Sequence, residues 1–291
     1  MAVDSASELH LYSLPNEVFV QILTPFTTRE LLDLAAVSQR FHALVLRLLH
    51  YRLLLSAQLT DYKLILECYH PTSKLTEPYA FCKYLGTPGL SDKYEGEGSL
   101  YENIDTAHKL ERLGTLYSVF KPEETEETLD TTVPKEDSLA VRRPVSIESF
   151  EDFYQLCVVV NVVKVLPGTD VFLSAVGVED GVMRLFRAWL KSQVGRPQDS
   201  REQEHTPVNQ DDGVLWVDQS KNVGLKFRVR EITKPDSNFP VLIHRDEETF
   251  SSYEIVIDEL HIRTTRLLLT VEQSLREQHS HPKAVIFTSM G

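Results

Sequence analysis

Two pairs of neighbouring carboxylates are the residues of this chain whose type and spacing could serve acid–base chemistry. They are Glu179-Asp180 and Asp211-Asp212, and paired carboxylates can act as general acid and general base. Adjacent carboxylates in loops are usually only solvated, and we interpret both pairs in that way. The sequence contains no Gly-x-Ser-x-Gly, His-Glu-x-x-His or phosphate-loop pattern. We therefore predict no catalytic residue and no enzymatic activity.

Histidines and cysteines give no stronger sign of a metal site. His279 and His281 could hold a metal lightly, but they stand in a polar stretch. The three cysteines, Cys68, Cys82 and Cys157, are far apart and form no Cys-x-x-Cys pair. This spacing argues against a zinc site and against a disulfide framework. We predict no metal and no cofactor, and we expect buried thiols in a reducing compartment.

The charge of the chain limits the classes of partner. The 291 residues carry a formal charge of -13, and residues 1–60 are close to neutral, with four Arg against five Asp and Glu. An acidic body repels phosphate backbones and anionic lipid, so we expect neither nucleic acid nor a membrane as partner. Residues 1–10 do not read as a signal peptide, and no apolar stretch is long enough to span a bilayer. We expect a cytoplasmic or nuclear protein.

One basic stripe and two tryptophans are the other candidate binding residues. Lys226, Arg228 and Arg230 alternate with apolar residues. This pattern fits either a solvated strand face or a docking surface for an acidic target, and we take the three residues as candidate target-binding residues. Trp189 and Trp216 could stack on a partner, although large aromatic residues among apolar neighbours are more often part of the core.

Helix signals dominate the first fifty positions. Ser13 is the predicted cap of a first helix, and Thr27-x-x-Glu30 is a capping box that predicts the start of a second. Ser38 is the predicted cap of a third helix. About forty residues rarely supply a self-sufficient core, and the apolar positions here occupy more than one helix face. Some of these side chains should therefore remain exposed until a partner covers them.

The order of residues in this region resembles an F-box. It runs Leu-Pro-x-Glu-Val from Leu14, Ile-Leu from Ile22, and Glu-Leu-Leu-x-Leu-Ala-x-Val-Ser-x-Arg-Phe from Glu30. The resemblance implies a three-helix module that binds a Skp-type adaptor, carried in turn on a cullin scaffold, as in fungal-type F-box proteins with a β-rich C-terminal domain. The positions that it implies for the adaptor-facing surface and its immediate support are Leu14, Pro15, Glu17, Val18, Ile22, Leu23, Leu31, Leu34, Val37 and Phe41.

After residue 50 the apolar pattern changes to the period of two that is typical of strands. Strands are predicted in the segments 53–59, 64–68, 79–85, 156–166, 225–229 and 253–257. The segment 181–191 fits a strand or a helix, and 271–278 is a predicted short helix. We therefore predict an α+β protein, in which the three-helix module precedes a mainly antiparallel domain like a β-sandwich or jelly roll.

The predicted organisation has three parts. Residues 9–50 form the F-box, residues 51–278 form the predicted substrate-binding domain, and residues 279–291 form a tail. Two acidic or polar stretches, about 121–147 and 195–213, are predicted loops.

The function that this organisation favours is that of a non-catalytic substrate receptor. The helices would bind the adaptor of an SCF-type ubiquitin ligase, and the β domain would hold an unknown target protein. Two alternatives remain open at this point. One is an F-box scaffold that works without a cullin, and the other is a module that binds a small ligand or a carbohydrate.

Overall fold

The computed structural model describes residues 13–90, 109–123, 140–166, 172–194, 213–232 and 251–280. Helices and strands follow one another along the chain as α1 Asn16–Leu23, α2 Thr28–Ala35, α3 Gln39–Gln58, β1 Lys63–Tyr69, β2 Ala80–Gly86, α4 Lys109–Gly114, β3 Tyr117–Glu123, β4 Val141–Ile147, β5 Phe153–Val165, β6 Phe172–Phe186, α5 Arg187–Gln193, β7 Val214–Trp216, β8 Val223–Glu231, β9 Ser251–Arg263 and α6 Thr264–Ser280.

Local capping explains where the first helices begin. In the capping box of α2, the Glu30 carboxylate accepts a hydrogen bond from the Thr27 backbone N–H at 2.7 Å, and the Thr27 hydroxyl accepts one from the Glu30 N–H. Ser38 caps α3 by accepting from a backbone N–H at 3.3 Å. Both signals are confirmed. The prediction for α1 was wrong, because Pro15 occupies its capping position instead of Ser13.

Helix α3 is longer than the sequence pattern predicted. It continues to Gln58 and ends at Leu59, which takes a left-handed conformation with φ 47°. The strand predicted over 53–59 was therefore wrong, and the predicted domain boundary at residue 50 lies inside a helix. Leu49, Leu53 and Ala57 are all buried, and they recur every four residues. In a segment that is apolar at nearly every position, periods of two and of 3.6 both fit, and tertiary packing decides between them.

The nine strands form one antiparallel sheet in the order β6-β5-β1-β2-β3-β9-β8-β7, with β4 paired to β9 beside β3. The two ends of this sheet approach each other. A Cβ on Gly181 of β6 would lie 2.5 Å from Cγ1 of Val217, just beyond β7, and Trp189 of α5 packs edge-on against Phe227 of β8. The α+β class and the antiparallel β domain are confirmed, and a single curled sheet supplies both of the facing layers that a sandwich would have.

The inner face of the curled sheet is closed. Leu156, Val158, Val160 and Val162 of β5 are all 0% exposed, as expected for alternate residues on the inner face of a strand. Arg143 of β4 is buried beside this core, but its guanidinium donates to the Cys68 and Pro78 carbonyl oxygens and pairs with Glu77. A buried charge is tolerated when it is paired and hydrogen-bonded.

The loop predictions were partly wrong. The stretch 121–147 contains the end of β3 and all of β4, while residues 124–139 lie outside the described residues, as do 195–212. The ambiguous segment 181–191 is strand up to Phe186 and then helix α5. The predicted helix over 271–278 is part of α6, which begins at Thr264.

Candidate adaptor-docking face

The helices α1 to α3 pack around a small core of their own. Phe19 and Leu23 of α1 are 1% and 2% exposed, and Phe19 meets Phe41 of α3 edge to face with ring centroids 5.4 Å apart. The Arg40 guanidinium lies over the Phe19 ring at 4.7 Å and donates to Asn16 Oδ1. These contacts fix α1 against α3, and they determine which side of α1 faces outward.

The outward side of these helices is apolar. Because Val18 and Ile22 are four residues apart, they share one side of α1, next to the side that carries the buried Phe19 and Leu23. We use the name apolar face for the exposed large apolar side chains of α1, α2 and the turns that follow them: Val18 (38% exposed), Ile22 (43%), Phe26 (40%), Leu32 (42%) and Val37 (58%).

Covering the apolar face would release considerable free energy. Full burial of such a side chain contributes about 1.5–3 kcal/mol, and each of these side chains is already more than a third covered by the chain itself. A partner that buried all of them would gain on the order of 5 kcal/mol before the costs of association are subtracted. Exposed apolar groups collected in one place mark a binding surface, whereas single scattered ones do not.

The structure divides the predicted adaptor-binding residues into two groups. Pro15, Glu17, Val18, Ile22 and Val37 are exposed, and Leu14 and Leu34 are half-buried. The remaining three are enclosed by this chain: Leu23 at 2%, Leu31 at 0% and Phe41 at 8% exposure.

A partner cannot contact the enclosed residues in this conformation. Leu23, Leu31 and Phe41 therefore belong to the immediate support of the predicted surface and not to the surface itself. Phe26 and Leu32 are exposed, although neither was among the predicted site residues. Leu31 is the inward residue of this adjacent pair at 0% exposure and Leu32 the outward one at 42%. The sequence alone does not decide this, since the adjacent Leu48 and Leu49 of α3 are both buried.

The rim of the apolar face carries a negative charge. Glu30 is fully exposed, and its pKa is held below its usual value by the hydrogen bonds from the backbone N–H and the hydroxyl of Thr27. The carboxylate of Glu30 is thus ionised at neutral pH, and it also suits the positive end of the α2 dipole.

A polar junction ties this helical region to the last helix of the chain. The Glu272 carboxylate of α6 accepts hydrogen bonds from the Thr28 backbone N–H at 3.2 Å and from the Thr28 hydroxyl at 2.5 Å. It also pairs with Arg52 of α3 at 2.9 Å. The same guanidinium donates to the backbone carbonyls of Thr24 and Phe26. One carboxylate from the far end of the chain therefore fixes the turn that carries Phe26.

Helix α6 is in turn attached to the sheet. The Arg266 side chain donates to the Val178 carbonyl of β6 at 2.9 Å, and the hydroxyls of Ser274 and Ser174 are 2.7 Å apart. The apolar face and the sheet are consequently joined through α6, and α3 adds a second connection, because its Leu53 and Ala57 are buried in one cluster with Leu116 and Leu268.

The predicted target-binding stripe is mostly neutralised within the sheet. Lys226 pairs with Glu259 at 3.4 Å, and Arg228 pairs with Asp258 at 2.6 Å. Glu259 also accepts from His261 at 2.8 Å, and this bond, followed by the charge of Lys226, lowers the Glu259 pKa. Arg230 is exposed, and it is opposite Glu254 of β9 in the register. Two of the three charges are thus already partnered by acids of β9, and target binding by the stripe stays a prediction.

Within the described ranges, the candidate acid–base groups form no reaction centre. Glu179 has a raised pKa, first because it is partly buried and second because Asp218 is negatively charged. Asp211, Asp212, His281 and the side chain of His279 lie outside the described part of the chain. Among the described residues no group of His, Cys, Asp and Glu could hold a metal ion.

The surroundings of the cysteines and tryptophans indicate structural roles. All three cysteines are free thiols, and burial raises the pKa of Cys68 to about 12, so this thiol is not a nucleophile at neutral pH. Trp189 packs on the rim of the sheet against Phe227, and Trp216 packs against Tyr117. No helix in the described ranges is long and apolar enough to cross a membrane.

Comparison with known proteins agrees with the geometry of α1 to α3. Residues 11–56 match the family model of F-box-like domains, and this range covers α1, α2 and nearly all of α3. No curated protein and no solved structure matches the chain. The chain is therefore an F-box domain-containing protein, with its F-box in helices α1 to α3 and a mainly antiparallel β domain after it.

Proposed function

We propose that this chain is a non-catalytic substrate receptor of an SCF-type ubiquitin ligase. F-box domains generally bind Skp-type adaptors, and F-box proteins are generally receptor subunits without catalytic residues of their own. In this proposal the apolar face binds the adaptor, a cullin scaffold joins through the adaptor, and the β domain holds a target protein. We place this activity in the cytoplasm or the nucleus.

The observation that carries the proposal is the apolar face itself. Its side chains lie on an F-box and remain 38–58% exposed, while their neighbours Phe19, Leu23 and Leu31 are enclosed. Helical residues that are apolar and open to solvent reduce solubility in isolation, and they are explained if a partner covers them. We infer that the adaptor is this partner.

The junction at Glu272 supports the receptor part of the proposal. A receptor accelerates ubiquitin transfer by holding a target at a suitable distance from the conjugating enzyme, which is an effect of proximity and orientation. Such an effect requires a fixed arrangement of adaptor site and target site. The contacts from Glu272 to Thr28 and Arg52, and from α6 to β6, provide a rigid connection of this kind.

The direct test is co-purification of the full chain with a Skp-type adaptor. Ile22→Asp should abolish adaptor recovery, because it places a charge in the centre of the apolar face. Leu269→Asp is the matched control, since Leu269 is also helical and is also 43% exposed, but lies on α6. The control should recover adaptor like the wild type. Equal recovery from all three chains would reject the docking proposal.

The same pull-down separates the receptor from a scaffold that works without a cullin. We expect the wild-type chain to recover cullin and ubiquitin-conjugating activity together with the adaptor. Recovery of adaptor without either would favour the scaffold.

A further inference from the structure

A row of lysines crosses the outer face of the sheet on β1, β2 and β3. Lys83 of β2 is directly opposite Lys121 of β3. On the other side of β2, Leu64 of β1 pairs with Cys82. The next position in this antiparallel register places Lys63 opposite Lys83. All three side chains are exposed. We call Lys63, Lys83 and Lys121 the lysine row.

The lysine row is unfavourable for the isolated fold. Like charges directly opposite one another on neighbouring strands destabilise a sheet. Within the described part of the chain, no carboxylate lies within 4.0 Å of any of the three ammonium groups. Lys63 lies over the Phe81 ring at 4.9 Å. The nearest acids in the register are Glu123, which is opposite Phe81, and Glu259 of β9, which comes level with Lys121 one step beyond the Phe120–Leu260 pair. Glu259 is already bonded to Lys226 and His261.

This arrangement contrasts with the stripe on β8, where Lys226 and Arg228 each have an acid of β9 as partner. The chain as a whole carries a charge of -13, so carboxylates are abundant. A cluster of cations without carboxylate partners in such a chain needs a reason, and an external anionic partner is a physical one.

We infer that the lysine row is the docking site for a carboxylate-rich peptide segment of the target protein. This inference rests on the proposed receptor function and names the chemistry of the target. Neighbouring strands are separated by 4.7–4.9 Å, so the row spans about 10 Å, which is the length of about three residues of extended peptide.

Apolar groups near Lys83 on β2 support a peptide as the occupant. Phe81 lies two residues before Lys83 on the same face, and Leu85, in the irregularity between Tyr84 and Gly86, is 54% exposed. A segment that combines acidic and apolar side chains would match this alternation. A long polyanion such as nucleic acid fits less well, because repulsion from the net negative charge of the chain grows with the charge of the ligand.

The test is binding of a short fluorescein-labelled glutamate-rich peptide with one leucine, measured by fluorescence anisotropy on the full chain. The matched glutamine-rich peptide should not bind. The double variant Lys83→Gln/Lys121→Gln should weaken binding of the acidic peptide roughly tenfold, because two exposed charge contacts are lost. Its thermal midpoint should be unchanged or higher, since like-charge repulsion is relieved.

The control variant is Lys191→Gln/Arg230→Gln, which removes the same charge from exposed positions outside the row and should bind the peptide like the wild type. Equal weakening by this control would overturn the inference, as would equal binding of the glutamine-rich peptide. Competition by a single-stranded oligonucleotide as strong as that by unlabelled peptide would also overturn it, in favour of nucleic acid.

A third variant, Glu124→Gln/Glu126→Gln/Glu127→Gln, tests whether the acidic residues that follow Glu123 in the same chain occupy the lysine row. If only this variant binds the peptide, the row serves that segment and the inference fails. Adaptor recovery is measured on the same preparations. If the wild-type chain recovers adaptor but does not bind the peptide, only the inference about the lysine row is contradicted. If the wild-type chain does not recover adaptor, the proposed receptor function is contradicted.

Discussion

The F-box helices and the β domain treat their apolar residues in different ways. In β5 the inner face is complete, and alternate residues from Leu156 to Val162 are 0% exposed. In α1 one side is equally buried, with Phe19 at 1%, while the other side leaves Ile22 at 43%. A sheet that curls until its ends meet encloses its inner face, but the three F-box helices leave one flank open.

The difference shows that apolar periodicity alone does not distinguish residues that stabilise the fold from residues that bind a partner. Both regions have apolar residues at the spacing of their secondary structure, and only burial shows which of them serve the fold. Substitutions can therefore separate the two roles. Substitution of an enclosed apolar residue should change the free energy of unfolding. Substitution of an exposed residue of the apolar face should change adaptor affinity.

The largest effect is expected from Phe19→Ala. This ring fills the core of the F-box and contacts Phe41, so its loss leaves a cavity and should lower the free energy of unfolding by about 3–5 kcal/mol. Urea denaturation of the full chain is the measurement. A decrease below about 1 kcal/mol would mean that the side chain is not enclosed, and the comparison between the two sides of α1 would then fail.

The second effect is expected at the junction between the two regions. Glu272→Ala removes the acceptor of three hydrogen bonds and leaves Arg52 without its carboxylate, so we expect a loss of about 2–4 kcal/mol. In this variant α6 keeps its contacts with β6 but loses those with Thr28 and Arg52, so the F-box helices should unfold separately from the sheet. Circular dichroism and tryptophan fluorescence should then give different midpoints of unfolding.

Gln273→Ala is the control for the junction, since Gln273 is the next residue on α6 and is exposed. It should leave both midpoints coincident. Coincident midpoints in Glu272→Ala as well would show that the two regions remain coupled without this carboxylate.

A smaller effect is expected from Ile22→Ala. Stability should change by less than about 1 kcal/mol because the side chain is partly exposed, whereas adaptor affinity should fall about tenfold. Calorimetric titration with purified adaptor measures the second quantity and urea denaturation the first. The reverse outcome, with stability lost and affinity kept, would assign Ile22 to the core.

Local signals were sufficient to predict the F-box helices but not their connection to the rest of the molecule. The capping box from Thr27 to Glu30 spans only four residues and could be recognised directly. Thr28 and Glu272 are 244 residues apart, and no local pattern connects them. The strand assigned to 53–59 was wrong for a related reason, because contacts with distant residues decided the conformation of an apolar segment that fitted two periods.

The ion pairs of the basic stripe could not be predicted, because the register of a sheet cannot be deduced from one strand. The alternation of Lys226 and Arg228 with apolar residues predicted a half-buried strand correctly, but their acidic partners are on β9. The same limit concealed the lysine row, in which three residues distant in sequence come together only through the pairing of β1, β2 and β3.

The smallest effect concerns the ionisation of Glu30 at the rim of the apolar face. Its pKa lies below the usual value because Thr27 donates hydrogen bonds to the charged form. A lowered folded-state pKa means that the stabilisation is present above the pKa of the unfolded chain and is lost as the pH falls through the folded value.

Thr27→Val removes the hydroxyl donor but keeps the backbone N–H, so the Glu30 pKa should rise part of the way toward 4.5. Carboxyl-carbon NMR titration of both chains is the measurement. An unchanged pKa would mean that the backbone N–H alone holds the charge. Adaptor recovery at neutral pH should be the same for both chains, because Glu30 is ionised in each, and this result would separate the rim charge from the apolar side chains that bind.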